Sequence, residues 1–370
     1  MEKYGVYVHI PFCKARCGYC AFSSCTDFKL VPQYFDKLFE EIDFYADSSV
    51  EISTVYVGGG TPSSVDKNLL NDLFDKLRSK FNLSNAAEIT VECNPESTTE
   101  ELLRCLKANG VNRLSFGLQS ANDATLKKIG RLHDFAQFER ALKLARQLGF
   151  DNINADLIVG LPESAAEFCH SVEVVGELDL QHVSVYALEL HEGTPLFDAC
   201  HGRYPFDEDA LADLYDAAHE MLSLFGFRRY EISNFAQKGF ESQHNLNYWR
   251  PGRYFAFGAS ASGFVGNVRF VNPPDIKTYL STPVKLLHAD STTLSQEDVA
   301  NEYVMLGLRL SDGVSLSEFE SKFGENFFDF FPNADNLEML GLLRVENGRV
   351  VVPPDKMYVI NSILVELLTI

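Results

Sequence analysis

The stretch YGVYVHIPFCKARCGYC, residues 4–20, decides how the chain is read. Its first seven residues are dense in aromatic and β-branched side chains and read as a strand. Three cysteines follow, Cys13, Cys17 and Cys20, spaced four and then three apart. A structural zinc site takes four ligands, and a ferredoxin-type cluster usually takes four as well. Three close thiolates suit a cubane in which three irons are held by protein and the fourth is left for a small molecule. The same residues admit other readings. These are a zinc site completed by Cys25 or a distant histidine, a cluster with Cys25 as fourth ligand, and three unliganded thiols. We expect Cys25 to be a free thiol.

Outward from this stretch, β-rich runs alternate with amphipathic helical patterns about every 30 residues, the spacing of βα units. Strands are expected at 4–10, 52–57, 88–92, 112–118, 152–158 and 182–188. Helices are expected at 32–46, 68–81, 99–110, 135–150, 163–176 and 208–225. On the first helix Phe35, Leu38, Phe39, Ile42 and Tyr45 share one face. Six such units predict an α/β fold in which a parallel sheet, covered by helices, curls into a partial (β/α)6 barrel. Six units rather than eight leave it partly open. The cysteines then lie on the loop after the first strand, at the C-terminal side of the strands, where such folds keep their sites.

The texture changes near residue 200. Residues 201–290 are expected to form an α+β region, beginning with the helix at 208–225 and continuing as an aromatic, Gly-rich, loop-like stretch over 226–280. Residues 291–370 are expected to form a small winged-helix-like domain, with three helical patterns and a hairpin around Glu346-Asn347-Gly348.

Composition narrows the function. The chain has 370 residues, 46% of them hydrophobic, enough for a substantial core. A net charge of −20 argues against a nucleic-acid binder, which needs a basic face. Apolar runs are far shorter than the roughly 20 residues of a membrane span, and no export signal is read at the N-terminus. Of eight cysteines, four crowd the first 25 residues and four are scattered. This is no secreted disulfide framework, and it suits metal binding in a reducing, cytoplasmic compartment.

Further motifs sit at the expected strand ends. VYVGGGTPS puts Gly58, Gly59, Gly60 and Thr61 after the second strand, where glycines admit close backbone approach. No Lys follows in P-loop spacing, so this is no phosphate loop. VECNPES carries Glu92, SFGLQS carries Gln119, GRLHD carries Arg131, and NADLIVGLP carries Asp156. A tight turn, a solvated rim glutamate and surface ion pairs are the bland readings of these residues. His9 reads as a core histidine. HNLNYW holds His244, Asn245, Tyr248 and Trp249, the last being the one tryptophan of the chain. Histidine can ligate heme iron, and Tyr and Trp offer flat apolar faces with a polar edge. The plainer reading is an aromatic-anchored loop over the barrel mouth.

The C-x3-C-x2-C spacing with Tyr19 before the last cysteine resembles the radical S-adenosylmethionine (SAM) signature. The resemblance implies a [4Fe–4S] cluster on Cys13, Cys17 and Cys20, with SAM on the open iron and cleaved to an adenosyl radical. It further implies SAM contacts from Tyr7, Tyr19, Gly59, Gly60, Thr61, Glu92, Gln119, Arg131 and Asp156. Over nearly its whole length the chain resembles the oxygen-independent coproporphyrinogen III oxidase group. Within it, the decarboxylating enzymes carry another cysteine two positions after the third, where this chain has Phe22, and a long arm ahead of the cluster, where only twelve residues precede Cys13. Both departures point to the HemW-type heme chaperones, marked by HNxxYW. That resemblance implies a heme-binding protein without coproporphyrinogen III dehydrogenase activity. Heme would sit on His244, Asn245, Tyr248 and Trp249, and the partners would be an acceptor hemoprotein and an electron donor. Homodimerisation and peripheral membrane association are compatible with it.

Overall fold

The computed structural model describes residues 3–368. The six expected strands and their helices appear in order. They are β1 (Lys3–Ile10), α1 (Val31–Tyr45), β2 (Glu51–Gly59), α2 (Lys67–Lys80), β3 (Asn82–Cys93), α3 (Glu100–Ala108), β4 (Arg113–Gln119), α4 (Asp123–Lys128), α5 (Phe135–Gln147), β5 (Asn152–Val159), α6 (Ala165–Glu177) and β6 (His182–Ala187). All five neighbouring pairs from β1 to β6 are parallel. Local signals set the helix starts. Asp134 with Gln137 and Ser164 with Glu167 form capping boxes, each satisfying two otherwise orphaned backbone donors.

The strands alternate sharply. Val6 and Val8, Val55 and Val57, Leu114 and Phe116, Ile153, Ala155 and Leu157, and Val183 and Val185 are buried in one apolar core with the helices. The residues between them are mostly polar: Thr54 and Tyr56, Glu88, Thr90 and Glu92, Arg113 and Ser115, Asn154 and Asp156, His182 and Ser184. A parallel sheet buried on both faces usually reads as continuous apolar runs. Here the concave face is polar, which is the property of a lumen built to hold a ligand.

After α7 (Pro195–Ala199) and α8 (Glu208–Leu224), the stretch expected to be loop-like contains β7 (Arg228–Arg229), β8 (Asn234–Ala236), α9 (Gln243–Trp249), β9 (Arg253–Phe257), β10 (Ser262–Val265), β11 (Val268–Val271) and α10 (Ile276–Ser281), and β12 (Ser291–Thr293) follows at the start of the stretch expected to be the C-terminal domain. These strands are too short for periodicity to mark them. Strands β10 and β11 form a local antiparallel hairpin, while β8 and β9 are fixed by pairing with strands far away in sequence. Strand β9 lies parallel to β1, and β8 lies antiparallel to β6. Together they make one twelve-stranded sheet in the order β12-β11-β10-β9-β1-β2-β3-β4-β5-β6-β8-β7. The boundary expected at residue 200 therefore does not divide the sheet. Glu41 of α1 fastens this extension. Fully buried, it accepts hydrogen bonds from Gly258 N (2.9 Å), Asn272 Nδ2 (2.6 Å), Tyr279 Oη (2.7 Å) and His288 Nε2 (3.3 Å).

The C-terminal part has its own core. It comprises α11 (Gln296–Gly307), β13 (Val314–Ser315), α12 (Leu316–Phe323), α13 (Phe327–Phe330), α14 (Ala334–Met339), β14 (Arg344–Glu346), β15 (Arg349–Val351) and α15 (Ile360–Leu367). Val304, Phe319, Phe331, Leu337, Val350 and Ile360 pack together there. The expected hairpin is β14–β15, turned by Asn347 (φ 51°) and Gly348 (φ 75°), both left-handed as a two-residue turn of this type requires.

Candidate functional site

A cavity of about 550 Å³ opens at the C-terminal ends of β1 to β6. Its wall includes Cys13, Cys17 and Cys20, all free thiols and all partly exposed. Thr61 Oγ1 donates to Cys13 Sγ and Arg131 Nη1 to Cys17 Sγ, each at 3.5 Å. Burial, ahead of the Thr61 bond at Cys13 and a Phe22 backbone bond at Cys20, holds both thiols above the usual range. Among the described residues no three His, Cys, Asp or Glu side chains converge as a single-ion site does. Three thiols lining one cavity suit a multi-iron cluster, which takes one thiolate per iron.

The neighbouring wall is backbone. Gly59 has φ 109°, and a Cβ there would lie 2.6 Å from the His9 imidazole; one on Gly58 would lie 2.8 Å from the Glu92 carboxyl. His9 fills the space beneath the glycine loop. Its Nε2 donates to Ser23 O (3.4 Å), leaving Nδ1 to accept from Tyr7 Oη (2.9 Å), and burial lowers its pKa to about 4. Tyr7 is therefore turned to His9 and does not line the cavity.

Glu92 ends β3 with one oxygen accepting from Tyr56 Oη (2.8 Å) and the other from Gly59 N (3.0 Å). Burial dominates these bonds and raises its pKa to about 7. Asp156 is raised by burial too, against hydrogen bonds from Ser184 and Asn154. Arg131 is held by Gly117 O (2.6 Å) and Asn94 Oδ1 (2.8 Å), leaving its Nε without a partner. Gln119 closes β4 after a bulge, with φ 75°, a conformation that non-glycine residues adopt at some energetic cost.

Of the residues singled out in the sequence, Cys13, Cys17, Cys20, Tyr19, Gly59, Gly60, Thr61, Glu92, Gln119, Arg131 and Asp156 line this one cavity. Sequence reasoning missed Tyr56, Asn94, Ser115, Gly117 and Tyr186, which line it too. Ser115, Gly117 and Gln119 follow the two-residue period of β4, a signal that would have found them. At the mouth stand Phe22, 72% exposed, and Tyr186.

The HNxxYW residues lie elsewhere. They form α9, a helix and not a loop over the mouth. Its first turn is anchored on Glu88, which accepts from Gln243 N (3.1 Å) and His244 N (3.0 Å). Glu88 pairs with Thr54, five residues before Gly59 along β2, about 16 Å at the usual strand rise. Helix α9 thus closes the lumen from beneath the cavity. His244 is 1% exposed, with Nδ1 bonded to Thr54 Oγ1 (2.8 Å) and Nε2 to Tyr248 Oη (2.7 Å). Burial lowers its pKa to about 3. Both ring nitrogens are engaged, so neither is free for a metal in this conformation. Asn245 contacts the Tyr230 hydroxyl, and Trp249 ends the helix half-buried.

Comparison with known proteins agrees with this architecture. Residues 7–175 match the Radical SAM superfamily and residues 294–356 the HemN C-terminal domain. The chain is 36% identical to the heme chaperone HemW of Bacillus subtilis (strain 168) over 88% of this chain and 89% of that one. It is 38% identical to the heme chaperone HemW of Escherichia coli (strain K12) over 70% of each. The solved structure of the radical SAM enzyme coproporphyrinogen III oxidase (HemN) from Escherichia coli superposes with a TM-score of 0.87. That likeness covers all of this chain and 90% of that one at 25% identity. A polar-lined partial barrel with three thiols at its mouth, a separate C-terminal core and these relatives lead to one conclusion: the chain belongs to the HemW heme-chaperone family of the radical SAM superfamily.

Proposed function

We propose that the protein is a heme chaperone that carries a [4Fe–4S] cluster and SAM and passes heme to an acceptor hemoprotein. The observation that carries this reading is the meeting of three thiols with Gly59, Gly60, Glu92, Arg131 and Asp156 around one cavity. Cys13, Cys17 and Cys20 would hold the cluster. Glu92 and the glycine loop suit an ammonium group, Arg131 a carboxylate, and Asp156 a pair of ribose hydroxyls. When bound, the reduced cluster and SAM supply one-electron chemistry at the sulfonium; the chain's part is to bind, orient and exclude water. A reducible cluster calls for an electron donor, and the clustered thiols favour the cytoplasm. Among the described residues no helix is long and apolar enough to cross a membrane.

For heme, the reading keeps His244, Asn245, Tyr248 and Trp249, with one condition set by geometry. His244 reaches iron only by giving up its bond to Thr54 or to Tyr248. Heme titration followed by the Soret band tests this. Saturation near one equivalent, weakened by His244→Ala and Trp249→Ala, supports it. Binding untouched by both variants but lost in Phe22→Ser moves heme to the cavity mouth. No saturable binding removes the chaperone reading.

The whole-length likeness to coproporphyrinogen III oxidase supports a second reading, oxidative decarboxylation of coproporphyrinogen III. Phe22, in place of a further cysteine, counts against it. An anaerobic assay of reconstituted protein with SAM, reductant and coproporphyrinogen III would yield vinyl products under this second reading alone.

A further inference from the structure

Beneath the cavity a file of buried and half-buried polar groups runs from Asp156 to α9. Asn154 Nδ2 lies 2.8 Å from Asp156 Oδ1 and 2.7 Å from Ser115 Oγ. Asn154 Oδ1 lies 2.7 Å from His182 Nδ1, and His182 Nε2 lies 2.9 Å from Tyr230 Oη. Tyr230 Oη in turn meets the Asn245 side chain. Asn154 and His182 are buried, and neither lines the cavity. They sit opposite one another across β5 and β6, as Asp156 and Ser184 do one layer above.

The direction of every bond follows from one end. An ionised Asp156 can only accept, so Asn154 must present its amide NH2 to it. The amide oxygen then faces His182, whose Nδ1 must carry the proton. Burial and the nearby Arg113 keep His182 neutral, so Nε2 is an acceptor and the Tyr230 hydroxyl donates to it. That hydroxyl's own lone pairs face the Ser242 N–H and the Asn245 side chain, both of which donate to it. Ser184 Oγ lies 3.2 Å from the Asn154 amide oxygen, so His182 and Ser184 both hold it, and the set as a whole fixes which face of the Asn154 amide Asp156 sees.

We propose that Asn245, Tyr230, His182 and Asn154 are positioning residues for the SAM site, a directed chain of donors that holds the Asp156 carboxylate oriented for the ribose. This rests on reading the cavity as the SAM site. The chain assigns Asn245 of the HNxxYW motif a task apart from heme. It has a parallel in the adjacent motif residue, since His244 underlies the ring of Tyr56, whose hydroxyl holds Glu92.

The test is a double-mutant cycle on the full chain, reconstituted anaerobically with iron and sulfide, with SAM affinity read by equilibrium dialysis. Tyr230→Phe keeps the ring and removes the donor; loss of one buried hydrogen bond's worth of orientation should weaken SAM about five-fold. Asp156→Asn should weaken SAM strongly. In the Asp156→Asn background Tyr230→Phe should then have no further effect, a non-additivity that a merely structural role would not produce. Should Tyr230→Phe fail to fold, Asn245→Ala at the far end of the chain serves in the same cycle, with a smaller loss in the same direction. Unchanged affinity in the Tyr230 variant, or effects that simply add, overturns the donor chain alone. Unchanged affinity in Asp156→Asn overturns the SAM reading of the cavity along with it.

Discussion

The ring of Tyr56 lies on the imidazole of His244, centroids 5.2 Å apart and 28° from parallel, while its hydroxyl donates to Glu92 at 2.8 Å. One side chain thus joins the floor helix α9 to the carboxylate at the cavity's base. His244 of HNxxYW and Glu92 of VECNPES are neighbours through it, on opposite sides of a single aromatic layer.

On the proposed reading, Glu92 should make SAM binding pH-dependent. With its pKa at about 7, raised by burial, a proton competes with a cationic ligand below neutrality. SAM affinity should fall as pH drops below 7, approaching about ten-fold per pH unit, and level off above it. Folding responds oppositely. The folded protein holds this proton more tightly than the unfolded chain does, so the stabilising contribution present below the unfolded value is lost as pH rises through about 7. Dialysis and urea titrations across this window on wild type and Glu92→Gln check both trends, and the variant should flatten them.

Removing His244 should cost stability whatever heme does. His244→Ala leaves Thr54 Oγ1 and Tyr248 Oη without their partner in a buried site and opens a gap under Tyr56. A loss of about 2–4 kcal/mol is expected, measured by chemical denaturation. A loss below the error of that measurement would mean that α9 is not packed as described.

Glu41 is the corresponding anchor of the sheet extension. Glu41→Ala removes the acceptor shared by Gly258, Asn272, Tyr279 and His288. The expected cost is about 3–5 kcal/mol, the range for removing one partner from a buried pair and leaving the others unsatisfied. Amide exchange should rise first in β9 to β11 and in α10, and leave the C-terminal core, with its separate packing, protected.

Cys25 should be dispensable for iron. Its sulfur accepts from Asp27 N (3.4 Å) and it does not line the cavity. After reconstitution, Cys25→Ser should keep wild-type iron content, and each of Cys13→Ser, Cys17→Ser and Cys20→Ser should lose it. Equal loss in the Cys25 variant would make it the fourth ligand and close the cluster to SAM.

The six βα units were legible because each strand and helix is long enough to show its period, and the site residues because they fall at strand ends. Other features were hidden by distance. Strands β8 and β9 are three and five residues long and exist through pairing with β6 and β1, so no local pattern marks them. The polar lumen was readable in principle. Thr54-Val55-Tyr56-Val57-Gly58 alternates plainly, but a parallel strand is expected to be apolar on both faces, and that expectation masks the signal. The position of α9 could not be read at all. His244 looks like a ligand in isolation; the i,i+4 bond to Tyr248 within α9 and the long-range bond to Thr54 together reveal an imidazole already engaged at both nitrogens.

Electron paramagnetic resonance of the reduced, iron- and sulfide-reconstituted protein, with and without SAM, tests the central claim most directly. About four irons per chain and a cluster spectrum that changes on adding SAM are predicted, as a cubane with one open iron requires. Zinc or no metal at Cys13, Cys17 and Cys20, or a cluster spectrum indifferent to SAM, would contradict it.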